Sequence, residues 1–323
     1  MPRRDHWRGE RSLPAASGAV LAIGIDPGIP RAKAAAACSV LTIEPRDEGP
    51  TIGIAGRSEA LKKADLAAFL RDDPLLADER LRLAAINGPL TPVRLERKPL
   101  RARQVEIRLS RGSFAGSSRG PHPLWISAGR SGWLRYLEAA TLQDILAGRG
   151  LPLLAMPPEG VALELPARCC AEVFTKGTLT VLVPPDSLEN RPMVGEFLGQ
   201  IDDWLFPQLF LRRSPGEPAP VERILEKLAP GLRLAPETLL EAERITRIRR
   251  PYSRREPLRA FVAAFQGVLA LAGAAALVGA EGDTEGYYLM PAAWHPGWEK
   301  EWSDPMRQEP RVLRVRIPSP REP

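Results

Sequence analysis

Three polar side chains stand where buried strands should carry none. Asp26 closes the apolar run "AVLAIGID", Ala19–Asp26, and is followed at once by Pro27 and Gly28. Asn87 closes "LRLAAIN", Leu81–Asn87, ahead of Gly88 and Pro89, and Glu172 lies late in "RCCAEVF", Arg168–Phe174. A charged side chain inside such a run is not buried without a partner. If the three strands are neighbours, their polar ends meet at one edge of a sheet. Two carboxylates brought close repel unless a cation neutralises them, and hard oxygen ligands select Mg²⁺ or Mn²⁺. Two such ions at ~4 Å would clamp the attacking water and the leaving oxygen of a phosphodiester. A plainer reading stands beside this one: Asp before Pro-Gly and Asn before Gly are both good turn formers.

The elements that would position these groups follow from pattern. Ala36–Glu44 and Thr51–Gly56 read as short strands on either side of "PRDEGP", so the first three strands make an antiparallel meander. Ser58 is placed to cap a helix over Glu59–Arg71, whose Leu61, Leu66, Phe69 and Leu70 fall near helical spacing. The continuous apolar run of Leu81–Asn87 predicts a strand buried on both faces. Helices are expected over Ser131–Gly148 and Arg191–Phe210, with a Thr/Lys/Gly turn after Phe174. Two short helices follow, Val221–Leu228 and Pro236–Ile248, then a long apolar helix, Pro257–Gly279, and a strand, Gly286–Met290. "RVLRVRI" alternates as an edge strand would. The stretch Phe261–Ala280 has the ~20-residue length that spans a bilayer, but its Ala, Gly and Gln266 content favours a helix buried across a sheet.

The chain has 323 residues, 45 basic against 39 acidic, and a formal net charge of +6. Only 7 of the basic residues are Lys and 38 are Arg. The guanidinium fork matches phosphate oxygens, although a GC-rich coding sequence yields the same excess. Arg103, Arg108 and Arg111 belong to the most basic stretch, inside a long irregular segment after the fourth strand. With Lys176 and Arg259 they are the candidate nucleic-acid contacts. Ser113, Ser117 and Ser118 lie in a loop composition that also suits phosphate. Cys38, Cys169 and Cys170 offer neither a disulfide framework nor a zinc spacing. That points to a reducing, cytoplasmic compartment, with adjacent Cys169 and Cys170 as packing residues on opposite faces of a strand. His6, His122 and His295 are scattered and give no metal spacing. No signal peptide is recognised at the start of the chain.

Several segments together carry a resemblance. "GIDPG", "AAINGPLTP", "RQVEIRL", "CCAEVFTKGTLTVL" and "REPLRAFVAAFQG" leading to "VGAEGDTEGYYLMP" occur in the order found in a family of uncharacterised, mostly bacterial, predicted RNase H-like nucleases. They span roughly Val20 to Pro291. The resemblance implies an α/β fold: an RNase H-like mixed sheet with helices on both faces, over residues 18–291. It leaves a basic arm at 1–17, a basic insertion at about 89–130 and a Pro-rich extension at 292–323. It implies a metal-dependent nuclease with Asp26 and Glu172 as Mg²⁺ or Mn²⁺ ligands and Asn87 completing the catalytic set. Glu256, three residues before Arg259 on the same helix face, is the candidate to replace a missing acidic residue there, the plainer alternative being a surface pair with Arg259. Arg103 and Glu106 match an Arg-x-x-Glu pair of the family. Three positions depart from its pattern: Asn87 stands where the family usually has Asp, Thr175 where it usually has Pro after the Glu172 strand, and Arg259 where it usually has Asp before Ala. An amide brings no charge to a metal, and Arg puts a cation where a cation should bind. A second reading is therefore a degraded, non-cutting member that binds nucleic acid or protein.

Overall fold

A computed structural model describes residues 18–28, 35–88, 90, 141–155, 157, 161–183, 201–214, 216–249, 251–279, 287–292 and 311–316. The basic arm, most of the basic insertion with Arg103, Glu106, Arg108, Arg111 and the serine loop, and all three histidines lie outside these residues. The chain forms a mixed α/β fold. Strands β1 (Val20–Asp26), β2 (Ala35–Glu44) and β3 (Thr51–Lys62) make the expected antiparallel meander. Strand β4 (Leu81–Asn87) then pairs parallel with β1, and β6 (Cys169–Val173) parallel with β4. The sheet is completed by β5 (Leu163–Glu164), β7 (Arg233–Leu234), β8 (Ala275–Gly279), β9 (Tyr287–Pro291) and β10 (Arg311–Arg316). The full order is β5-β10-β8-β9-β6-β4-β1-β2-β3-β7. The alternating segment "RVLRVR" thus joins the sheet, pairing with β8 on one side and β5 on the other.

Helices cover both faces. On one side lie α1 (Lys63–Asp72), a 3-10 turn (Pro74–Ala77) and α2 (141–148). Their Leu66, Leu70, Leu76, Leu142 and Leu146 pack on Ile23, Ile25, Ala84, Ile86 and Cys170. On the other lie α3 (Thr175–Leu182), α4 (Ile201–Phe210), α5 (Pro220–Leu228), α6 (Pro236–Thr246) and the long α7 (Pro251–Leu271). Here the core includes Ala22, Leu41, Phe206, Phe210, Phe261 and Phe265. Cys169 packs with the cluster around Leu83 and Ala171, and Cys170 with the opposite cluster. The two thiols therefore face opposite ways, as strand alternation requires, and burial pushes both up to about 12.

Several expectations are corrected. Ser58 caps no helix. Strand β3 runs on to Lys62 because β2 continues opposite it, Ala36 beside Leu61. Ser58 is buried there, its N–H donating to Glu241 Oε1 at 2.7 Å and its hydroxyl to Ser39 Oγ at 2.8 Å. The Thr/Lys/Gly segment is no turn but α3, buried along its whole length. The closing helix starts earlier than Pro257 and ends sooner than Gly279. Pro251 takes its first position, and Pro257 sits inside it. After Leu271 the chain turns through Gly273 (φ 72°) and its apolar tail becomes β8. Of the apolar stretch Phe261–Ala280, Phe261–Leu271 is thus helix and Ala275–Gly279 strand. Among the described residues no helix is long and apolar enough to cross a membrane.

Candidate functional site

Strands β1, β4 and β6 run parallel and deliver their C-terminal ends to one edge. Ile25 pairs with Ile86, so Asp26 and Asn87 follow side by side, and Asn87 pairs with Val173. Alternation then assigns the faces. Asp26 is two residues beyond Gly24, which abuts α7, and shares that face with Asn87. Glu172 pairs with Ile86 and is two residues beyond Cys170, so it leaves the sheet on the opposite face. The strand ends bring Asp26 and Asn87 together and put Glu172 across the sheet from them.

Each polar end has a defined bonding pattern. Asp26 is 2% exposed, and its Oδ1 accepts from the Gly28 N–H at 3.1 Å and from Asn87 Nδ2 at 3.5 Å. Gly28 has φ 72°, so Asp26 also makes the turn that its Pro-Gly neighbours suggest. Asn87 Oδ1 accepts from the Thr175 N–H at 3.4 Å and from the Thr175 hydroxyl at 3.1 Å. These donors at the start of α3 fix the amide: turned over, it would set N–H against N–H. Glu172 is wholly buried, and its Oε2 accepts from the Leu90 N–H at 2.8 Å. The phenol of Tyr287 is raised first by burial and then by the Glu172 charge.

Helix α7 adds what the third strand does not. It crosses β1 so closely that a Cβ on Gly24 would lie 2.0 Å from the Ala260 carbonyl oxygen and 2.2 Å from the Ala264 nitrogen. One turn further, a Cβ on Gly267 would meet Ala22 at 3.0 Å. The helix therefore runs antiparallel to β1, with Gly267 over Ala22 and Ala260–Ala264 over Gly24. The next turn, bearing Glu256 and Arg259, comes over Asp26. Glu256 is 8% exposed, and its Oε2 has no hydrogen-bond partner among the described residues. Burial holds its carboxyl above the usual range, and the Asp26 charge pushes the same way, against the pull of Arg259 and Arg255.

Arg259 donates from Nε to Asp202 Oδ2 at 2.7 Å, with side chains 15% and 1% exposed. Burial opposes its charge, but Asp202, Asp26 and Glu256 together hold the guanidinium more firmly protonated than usual. Asp202 reaches it because α4 is locked on α7 by aromatic contacts. Phe206 and Phe210 meet Phe261 edge-on, with centroids 5.7 and 5.2 Å apart, and Phe210 meets Phe265 at 5.2 Å. Asp202 lies four residues before Phe206 and so shares its helix face. Asp203 beside it pairs with Arg254 at 2.9 Å and Arg255 at 3.8 Å.

The expected metal set does not fit a divalent ion. Asp26 and Glu172 leave the sheet on opposite faces, the Asn87 oxygen is committed to Thr175, and a guanidinium stands among the carboxylates on the α7 face. Among the described residues no group of three or more His, Cys, Asp or Glu could hold a metal. Of the expected nucleic-acid contacts, Lys176 is buried in α3 and Arg259 is turned onto Asp202. Glu256 and Arg259 are partners of the interior rather than a surface pair. Asp202 and Thr175 are site residues that sequence reasoning missed. Asp202 carried one signal, its four- and eight-residue spacing from Phe206 and Phe210.

The raised Glu256 carboxyl has a consequence for pH. The folded chain holds this proton more tightly than the unfolded chain does. The resulting stability is complete below the ordinary carboxylate range and is lost as pH rises through the raised value. Glu256→Gln never ionises and escapes that loss. Its melting temperature should match wild type at pH 4 and exceed it at pH 8, as parallel thermal melts at the two pH values would show.

Comparison with family models, with curated proteins and with solved structures gave no match to this chain.

Proposed function

We propose that this chain is a non-cutting relative of the RNase H-like nucleases that binds nucleic acid. The observation that carries the reading is the Asn87 amide at the central strand end. A carboxylate there would present an anionic oxygen to a metal beside Asp26. The amide instead turns its N–H toward Asp26 and gives its oxygen to Thr175. Supporting it, the sheet is mixed, a meander followed by parallel strands with helices on both faces, in keeping with the fold the sequence resemblance implies. The Arg-dominated net charge of +6 suits a polyanionic partner. One observation favours the competing reading, a metal-dependent nuclease: Glu256 Oε2 is buried beside Asp26 with no partner among the described residues, an oxygen that a bound cation would satisfy.

The two readings separate in one experiment. Purified full-length protein is offered labelled single-stranded DNA, duplex DNA, an RNA–DNA hybrid and a four-way junction, with Mg²⁺, Mn²⁺ or EDTA. Expected are salt-sensitive binding by fluorescence anisotropy, unchanged by EDTA, and intact substrate on denaturing gels. Metal-dependent cutting that disappears in Asp26→Ala establishes the nuclease instead. Failure to bind any of the four substrates overturns both.

A further inference from the structure

The carboxylates of Asp26, Asp202 and Glu256 come from three different elements, β1, α4 and α7. All three are buried, at 2%, 1% and 8% exposure. Asp202 Oδ1 and Glu256 Oε2 have no hydrogen-bond partner among the described residues. Anions so placed cannot stay charged without a counter-ion within the protein. The Arg259 side chain is in place: it bonds Asp202 directly, its backbone adjoins the part of α7 that presses on β1 at Gly24, and it is near enough to feel the Asp26 and Glu256 charges. Arg254 and Arg255 are paired with Asp203.

We propose that Arg259 is the fixed cation of this site, doing for Asp26, Asp202 and Glu256 what a bound divalent ion would otherwise do, so that the site assembles without a metal. A guanidinium is planar and delocalised, and its five donors reach oxygens in several directions from one position. Unlike a divalent ion, it cannot leave the site or be removed by a chelator. Its breadth also holds the carboxylates apart, which agrees with the lack of a ready-made metal cluster among the described residues. Arg259 is here a positioning residue: it sets the charge and spacing of groups at the strand ends.

The inference concerns the same site as the non-cutting reading but has its own test, because cation dependence is measured with no nucleic acid present. The full chain and Arg259→Ala are melted with MnCl₂, with methylguanidinium chloride at low millimolar concentration, or with neither. Bound Mn²⁺ is counted by electron paramagnetic resonance. Wild type should take up no Mn²⁺ at this site and melt at the same temperature with and without it. Arg259→Ala should melt lower and recover part of the loss with either cation. Recovery should vanish in Asp202→Asn/Arg259→Ala. Arg259→Lys, which keeps the charge, should fold and stay indifferent to Mn²⁺.

Three results overturn the proposal. One is a wild-type Mn²⁺ site that Asp26→Asn abolishes. Another is an Arg259→Ala protein that neither cation restores. The last is Mn²⁺ uptake by Arg259→Lys. Should Arg259→Ala fail to fold, the wild-type and Arg259→Lys arms still decide.

Discussion

Replacing Gly24 by Ala should destabilise the chain by about 3 kcal/mol or more, the upper end of what one inserted methyl costs in a packed core. The added Cβ would lie 2.0 Å from the Ala260 carbonyl oxygen and 2.2 Å from the Ala264 nitrogen. Both are backbone atoms of α7, so no rotamer change relieves the clash. Strand β1 cannot retreat either, since it is paired to β2 and to β4 along its length. The helix must lift, and with it the Phe261 and Phe265 contacts to α4 and the turn that holds Glu256 and Arg259. In a domain of this size each kcal/mol moves the melting temperature by roughly 2–4 °C, so a fall of roughly 6–12 °C is expected. Gly148→Ala is the control. It lies at the exposed end of α2 with nothing within 4 Å of its Cβ, and should be neutral or stabilise by about 0.5 kcal/mol. Urea melts of both variants check the pair. Equal stability of Gly24→Ala and wild type would show that α7 does not press on β1.

That close contact explains which parts of the fold were legible in the sequence. Strands β1 and β4 are apolar runs ended by Pro-Gly or Gly-Pro, so local signals mark both bounds. The meander followed from the hairpin around "PRDEGP". Local signals misled where tertiary structure outweighs them. Ser58 and the spacing from Leu61 imitate a capped helix, yet pairing with β2 keeps the chain extended to Lys62. Thr175–Leu182 has three threonines and a glycine, poor helix formers, and is helical where it is buried against α4 and α7. Pro257 imitates a first-turn proline because Pro251, the real one, precedes it by six residues. At the site, Asp26 and Asn87 stood out as polar ends of apolar strands. The face of Glu172 did not, since it depends on register: one residue of offset against Asn87 sends it to the other side. Asp202 looked like an ordinary acidic residue in the first turn of a helix. Its role depends on the docking of α4 against α7.

That docking makes the Asp202–Arg259 pair the second large effect. Arg259→Met should cost about 3–5 kcal/mol, because it leaves a carboxylate that is 1% exposed without its cation. Asp202→Leu should cost a similar amount by stranding the guanidinium. Losses at independent sites add; here the double variant should be more stable than the sum predicts by about 2–3 kcal/mol, since neither charge is then left without the other. Recovery should still stop short of wild type. Asp26 and Glu256 are also held by Arg259, and the double variant removes that charge from between them and leaves their mutual repulsion stronger. Adding Glu256→Gln removes that repulsion, so the triple variant should be more stable than the double at pH 8 and gain less at pH 4. Urea melts of the four-member cycle and the triple variant test this. Strict additivity of the Asp202 and Arg259 losses would reduce the pair to an incidental contact, and a triple variant no better than the double would remove Glu256 from the charge cluster.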